Sequence, residues 1–143
     1  MARLPLDQDS QAIELVIPSQ LPAAKKLERA VLAELEGQRF PEVCRFATKL
    51  ALEEAITNAI KHGNRNDPDK HITLRFRVTP QEAEIWVADE GEGFDPNRVP
   101  DPTLDENLNK PNGRGIMLMR AYMDKVGYNQ TGNEVRLIKF NRR

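Results

Sequence analysis

The sequence is poor in cysteine and in aromatic residues, and neither sign of charge is in excess. Cys44 is the one cysteine among 143 residues, so no internal disulfide can form. A reducing, cytoplasmic setting is expected, with Cys44 serving as a small core hydrophobe. Aromatic residues amount to 6%. No apolar run approaches the roughly 20 residues that span a bilayer, so no membrane partner is expected. Residues 1–10 lack the apolar core of a secretion signal. Lys plus Arg total 21 against 22 Asp plus Glu, a net charge of -1, which gives no support to direct nucleic-acid binding or to an anionic membrane surface. Internal repeats and low-complexity segments are absent. The remaining composition, 39% apolar and 30% charged, is ordinary for a single domain of residues 1–143 with one sizeable core.

What is present centres on one helix. Leu50 to His62 is apolar over most of its surface and is followed by Gly63, expected to supply a left-handed cap. Glu54 and Asn58 stand four residues apart and so share one helix face. Buried carboxylates and amides are costly without partners. Two readings stand open: a polar pair satisfied by neighbouring backbone, or a metal and catalytic pair facing a ligand. Glu53 points about 100° away on the helix and takes no role.

Around this helix the chain alternates between strand and helix signals. Residues 1–11 read as a loose tail. Ile13, Leu15 and Ile17 form one side of a short strand. Ser19 is a candidate cap for a helix over 20–36, with Pro22 in its first turn and Gly37 as its stop. Pro41 suits the first position of the next helix, which runs to His62. Residues 71–78 alternate, with Ile72, Leu74, Phe76 and Val78 on one face and Thr73, Arg75 and Arg77 on the other. Residues 83–89 form the partner strand of a hairpin. One buried and one solvated face predict helices on one side of the sheet. The stretch 90–112 is a long Pro-, Asp- and Asn-rich connection, of the kind that forms lids and binding loops or stays disordered. A third helix is expected over 116–124, and a last hairpin over 126–130 and 134–140, turning at Thr131-Gly132-Asn133. The result is an α+β two-layer sandwich: a mixed, mostly antiparallel sheet of about five strands with three helices on one face.

Two glycine pairs carry the chemistry. Asp89 continues the inward face of Ile85 and Val87, and a carboxylate there wants a donor, either its own turn or the exocyclic amine of a bound base. In Asp89-Glu90-Gly91-Glu92-Gly93 the two glycines permit unusual torsions or close ligand approach. A calcium loop would need oxygen ligands where Gly91 and Gly93 stand, so calcium is disfavoured. Gly113-Arg114-Gly115 runs into a helix whose free N–H groups make an anion site, and Arg114 adds a guanidinium suited to phosphate. The Walker lysine pattern is missing, and no strand directly precedes the pair as a Rossmann site requires.

Taken in order, Glu54 and Asn58 on a helix, Asp-x-Gly-x-Gly after a strand, and Gly-x-Gly before a helix resemble the Bergerat, or GHKL, ATP-binding fold of gyrase, histidine kinases and MutL. The resemblance runs from Ile13 to Phe140. The stretches Glu54-Ala55-Ile56-Thr57-Asn58-Ala59-Ile60-Lys61-His62-Gly63 and Gly113-Arg114-Gly115-Ile116-Met117-Leu118-Met119-Arg120 are most similar to the stand-alone anti-sigma factor serine/threonine kinases. The resemblance implies ATP and Mg2+ as cofactors, and a homodimer that binds a sigma factor and phosphorylates a STAS-domain anti-anti-sigma protein. It implies that Glu54 is the general base and that Asn58 binds Mg2+. Asp89 would accept from the adenine amine, with Gly91 and Gly93 flanking the base. Gly113, Arg114 and Gly115 would form the phosphate-proximal loop, with residues 94–112 as the ATP lid. His62 matches a frequent family histidine. Where many relatives carry threonine after the glycine of the last hairpin, this chain has Asn133 and Glu134. The segment 96–112 is Pro-rich, and the resemblance assigns no second basic residue in it to the γ-phosphate.

Two other functions remain on the sequence alone. One is a non-catalytic, nucleotide-gated partner-binding module. The other is a histidine-kinase-like domain acting in trans, disfavoured because neither histidine lies in a phosphoacceptor helix pair. A gyrase-like or MutL-like ATPase is disfavoured too, since the chain has no room for a transducer domain.

Overall fold

The computed structural model describes residues 12–93 and 111–142, with the backbone alone for 111–114. The expected tail over 1–11 and nearly all of the expected lid lie outside the described residues. In chain order the elements are β1 (Ile13–Pro18), α1 (Leu21–Gly37), α2 (Glu42–Asn58), a π turn (Ala59–Gly63), β2 (His71–Val78), β3 (Glu82–Ala88), α3 (Pro111–Tyr122), β4 (Lys125–Tyr128) and β5 (Glu134–Phe140). The strands form one sheet in the order β1-β2-β3-β5-β4. Every neighbouring pair is antiparallel, so the sheet is not mixed.

Alternation fixes the register. Phe76 lies opposite Ile85, and Ile85 opposite Leu137; Leu74 lies opposite Val87, and Val87 opposite Val135. These two apolar rows cross the three central strands on one face. Leu27, Val31 and Leu35 of α1, Leu52 and Ile56 of α2, and Met119 of α3 join the same buried cluster, so the helical layer covers that face. Removing a side chain such as Leu27 or Phe76, both essentially sealed from solvent, costs on the order of 2–5 kcal/mol.

The other face of the sheet is less open than alternation predicts. Arg75, Glu84, Trp86 and Ile138 are all buried there. The Arg75 guanidinium stacks 4.7 Å from the Trp86 ring, with Arg136 on the same ring at 5.9 Å. Glu84 accepts from Arg77 Nη2 at 3.1 Å and from Arg136. A planar cation shields an aromatic face while its own charge stays paired, so this face is roofed by its own long side chains.

Helix ends depart from expectation for tertiary reasons. Ser19 does not cap α1: Gln20 holds the N-cap position without a side-chain bond, and Ser19 is buried, its Oγ accepting from Asn64 Nδ2 at 3.2 Å. Gly37 does not stop α1 through a left-handed turn. Arg39 takes that conformation at φ 62°, and Phe40 N–H returns to Leu35 O at 3.0 Å, closing a Schellman motif while Phe40 enters the core. Pro41 is the N-cap of α2 rather than its first residue. Helix α3 begins at Pro111, five residues before the expected start, so Pro111 and Asn112 belong to it and not to the lid.

Candidate functional site

Glu54 and Asn58 project from the last turns of α2 toward α3. A β-carbon on Gly115 would lie 2.7 Å from Asn58 Nδ2 and 2.8 Å from Glu54 Oε1. The absent side chain is therefore what lets the two helices meet with both polar groups between them. Both groups are half-buried, so they keep a way out to a ligand. Gly113 and Gly115 do not precede the helix; they sit in the opening turns of α3, where a glycine costs up to about 1 kcal/mol against alanine. That cost is explained at Gly115 by the contact with α2.

Beyond Asn58 the helix widens. Ala59 to Gly63 form a single π turn, closed by Asn64 N–H on Ala59 O at 2.8 Å. Such turns are rare and cluster at functional sites. Gly63 is not the left-handed cap; Arg65 at φ 53° and Asn66 at φ 59° take the positive torsions. Glycine is required at 63 for a different reason: a β-carbon would run into the Asp89 carboxylate.

Asp89 leaves β3 one residue past its end and turns in beside Val87 toward the helices. Its Oδ1 accepts from Gly91 N–H at 2.7 Å, and its own N–H donates to Asn133 O at 2.9 Å. Burial pushes its carboxyl above the ordinary aspartate range, with the Gly91 N–H and then the Lys70 charge pulling it back. A half-desolvated carboxylate with a free oxygen lobe gains most from a ligand that brings a donor. Gly91 is packed so that a β-carbon would meet Gly63 O, and Gly93, at φ 83°, rides against Thr131 O at the tip of the last hairpin.

Between these parts lies a cavity of about 180 Å³. Ala55, Ala59, Val87, Ile116, Met119 and Val135 make its apolar walls. Asp89, Asn58, His62, Tyr128, Asn133 and Glu134 bring polar groups to it, and Gly63, Gly93 and Gly132 line it with backbone. Its volume is below the roughly 300–1,000 Å³ of sites that engulf a drug-sized ligand, so it accommodates a flat base-sized group and not a whole nucleotide. An apolar slot with carboxylates on its wall, Asp89 and Glu134, fits a heteroaromatic ring that carries an amine.

Of the residues singled out in the sequence, Asn58, Asp89 and Gly93 line the cavity, Gly91 packs behind Asp89, and Glu54 meets Asn58 at Gly115 one turn away. The Arg114 side chain lies outside the described residues. Sequence reasoning gave no role to Tyr128 or Met119. Tyr128 ends an exposed edge strand and Met119 keeps helical spacing with other apolar residues, so neither carries a local signal. Burial, opposed by Arg120 and reinforced by Glu54, pushes the Tyr128 phenol up to about 12, which keeps it a neutral hydroxyl on the wall nearest Glu54. Among the described residues no three His, Cys, Asp or Glu side chains converge as a metal site, and no helix is long and apolar enough to cross a membrane.

Residues 17–139 match the family described as the histidine kinase-like ATPase domain. The serine-protein kinase RsbW of Bacillus subtilis is 29% identical over 146 residues, covering 94% of this chain and 89% of that protein. RsbW of Bacillus cereus is 31% identical over 124 residues, covering 81% and 76%. The serine/threonine-protein kinase BtrW of Bordetella bronchiseptica is 33% identical over 86 residues, covering 59% and 61%. Among solved structures, that of the RsbU and RsbW domains of Rv1364c from Mycobacterium tuberculosis superposes with a TM-score of 0.61 at 15% identity, covering 93% of this chain and 32% of that one; at that identity the likeness speaks for the fold. With the family match spanning most of the sequence and the Bacillus kinases aligning along it, the chain belongs to the histidine kinase-like ATPase domain family, among its RsbW-type serine-protein kinases.

Proposed function

We propose that this chain is an ATP-dependent serine/threonine protein kinase of the anti-sigma factor type, working as a cytoplasmic homodimer on a sigma factor and a STAS-domain anti-anti-sigma protein. The observation that carries the nucleotide part is the apolar cavity closed by the Asp89 carboxylate against Gly63. Asp89 would accept from the exocyclic amine of adenine, with Gly91 and Gly93 holding the loop beside the base. Asn58 would give an amide oxygen to Mg2+. With no acidic cluster among the described residues, the other ligands of the ion would be phosphate oxygens and water, a donor set that suits magnesium. The ion, when bound, supplies charge neutralisation at the phosphates. Gly113, Arg114 and Gly115 would lie along the phosphates, and a single domain over 1–143 with residues 94–110 as lid completes the reading.

Glu54, half-buried beside Asn58 at Gly115, would be the general base for a hydroxyl brought by a partner protein. It would take the hydroxyl proton while the oxygen bonds to the γ-phosphorus and the bond from that phosphorus to the β,γ-bridging oxygen breaks, releasing ADP; the rest of catalysis would be positioning and electrostatics. Titration calorimetry with ATP, ADP and GTP, with and without Mg2+, tests the binding half. Adenine-selective binding that Asp89→Asn abolishes is expected. Phosphoryl transfer by Glu54→Gln, expected to fall about 10²–10⁴-fold with ATP affinity kept, tests the other half. Undiminished ATP affinity in Asp89→Asn defeats the site, and undiminished transfer in Glu54→Gln leaves a nucleotide-gated binding module as the better account.

A further inference from the structure

Resting on the reading of Asp89 as the base-recognising group, we infer that Asn64 is a positioning residue for the nucleotide site: its side chain sets the gap between the π turn and the Asp89 loop, and so the width of the base slot. Asn64 is fully buried and is not among the residues that line the base-sized cavity. Its Nδ2 donates to Ser19 Oγ at 3.2 Å and to His71 O at 3.0 Å. Its Oδ1 accepts from Glu90 N–H at 2.7 Å. Both amide hydrogens are therefore used, and the acceptor holds the residue that separates Asp89 from Gly91.

The site's two halves come from different layers. Asn58, His62 and Gly63 belong to the helical layer, and Asp89 to the loop after β3. The other backbone anchors of that loop, Asp89 N–H to Asn133 O and Gly91 O from Asn133 Nδ2 at 3.3 Å, tie it to the last hairpin. Asn64 ties it to the end of α2. The π turn serves this: closing the wider turn on Asn64 N–H carries the side chain past Gly63 and under the loop. At the Gly63–Asp89 contact no room is left even for a methyl group, so a brace that lets go on one side opens the slot and moves the carboxylate away from the base. Asn suits the position because one short planar group offers the acceptor that holds Glu90 N–H and two donors that anchor it to Ser19 and His71.

Four variants are compared by calorimetry with ATP and GTP and by steady-state transfer. Asn64→Ala is expected to weaken ATP binding at least about 10-fold and to flatten the preference over GTP, raising KM for ATP while kcat at saturation stays within about 3-fold. Asn64→Asp keeps the acceptor for Glu90 N–H and should retain adenine preference although it melts lower. Ser19→Ala removes one outer bond and should melt lower while keeping wild-type ATP affinity and preference. A merely structural role predicts instead that Asn64→Ala and Asn64→Asp lose activity in step with their melting temperatures. Asn64→Ala with wild-type ATP affinity and preference, beside an Asp89→Asn that has lost both, overturns the inference and leaves the site standing; an Asp89→Asn that binds like wild type defeats the site itself. Should Asn64→Ala not fold, amide hydrogen exchange of wild type decides. Glu90 N–H is expected to be protected and to slow further with ADP, and exchange at the rate of a free amide with ADP bound overturns the brace.

Discussion

Gly115→Ala separates stability from function in this molecule. The new methyl group would sit 2.7 Å from Asn58 Nδ2 and 2.8 Å from Glu54 Oε1, and ordinary contact begins at 3.4 Å. Each polar tip must retreat by about 0.6–0.7 Å. Those tips are the far ends of flexible side chains, so the adjustment is cheap in folding free energy. Alanine also favours the helix by up to about 1 kcal/mol over glycine, which offsets overpacking of about 1–3 kcal/mol. The melting temperature should therefore move by only a few degrees. Function should not survive as well, because a misplacement near 1 Å at reacting groups costs about 10²-fold. A drop of tens-fold in phosphoryl transfer is expected, together with weaker Mg2+-dependent binding of ATP. Gly91→Ala is the contrast: there the obstacle is the Gly63 carbonyl, which cannot swing aside, so that variant should lose about 1–3 kcal/mol of stability. The assay is transfer from labelled ATP to the cognate acceptor beside a thermal melt. Wild-type transfer in a folded Gly115→Ala protein refutes the placement of Glu54 and Asn58 as working groups.

Three further outcomes follow from the same geometry. Burial raises the Asp89 carboxyl above its ordinary range, and a bound amine donor favours the ionised form; adenine nucleotide affinity should fall as pH drops through that raised value, with protons released on binding there. Calorimetry in buffers of different ionisation heat reads this directly, and proton uptake would contradict it. Glu28 is raised by burial first and then by the Glu53 charge, against the weaker pull of Lys25 and Lys49. Its ionised form thus opposes folding at neutral pH, and that penalty is relieved as pH falls through the raised value toward the unfolded one. Glu28→Gln should melt higher than wild type at pH 7, with the gap closing in acid; the lost pair with Lys25, 3.8 Å away and 63% exposed, is worth little. Asn129→Ala removes one acceptor shared by three N–H groups, of which buried Gly132 keeps its 3.1 Å bond to the main-chain O of residue 129, and Asn133 and Glu134 are half-buried, so stability should fall by only about 1 kcal/mol while ATP affinity falls several-fold; unchanged affinity would show that the hairpin tip does not shape the cavity.

Strands were legible where one face is sealed. His71 to Val78 and Glu134 to Phe140 fall where alternation puts them, because a slip of one residue would turn Leu74 or Leu137 to the wrong side. Helix ends were legible only where local chemistry governs them. Gly63 reads as a cap, yet what demands a glycine is a carboxylate 26 residues on. Ser19 reads as a cap too, yet its hydroxyl is committed to Asn64. The start of α3 could have been placed from Pro111, since proline favours the first helical position; the surrounding Asp- and Asn-rich composition hid it. The roof of the sheet was out of reach, since the Arg75–Trp86–Arg136 row exists only once β5 is known to pair with β3. For the site, spacing alone put Glu54 and Asn58 on one face. That they face Gly115, and that Asp89 faces Gly63, depends on how the two layers pack.

The last hairpin, where Asn133 and Glu134 follow Gly132 and the family resemblance implies threonine, is held by asparagine side chains. Asn129 Oδ1 gathers the N–H groups of Gly132, Asn133 and Glu134 at 2.7, 3.0 and 3.2 Å, and Asn129 Nδ2 donates to Asn133 Oδ1 at 2.8 Å, so the turn is built by the two asparagines together. Once the turn is set, Asn133 O receives Asp89 N–H and Asn133 Nδ2 reaches Gly91 O. The wall on that side of the cavity is therefore a frame of asparagine side chains bonded to main-chain groups of the hairpin and the Asp89 loop. A threonine hydroxyl could reach the ligand itself; an asparagine holding Gly91 instead acts on the loop that carries Asp89. On the proposed reading, base selectivity would then rest more heavily on Asp89, and any change that shifts that one carboxylate, from Gly63 on one side or Asn133 on the other, should register as lost discrimination before it registers as lost fold.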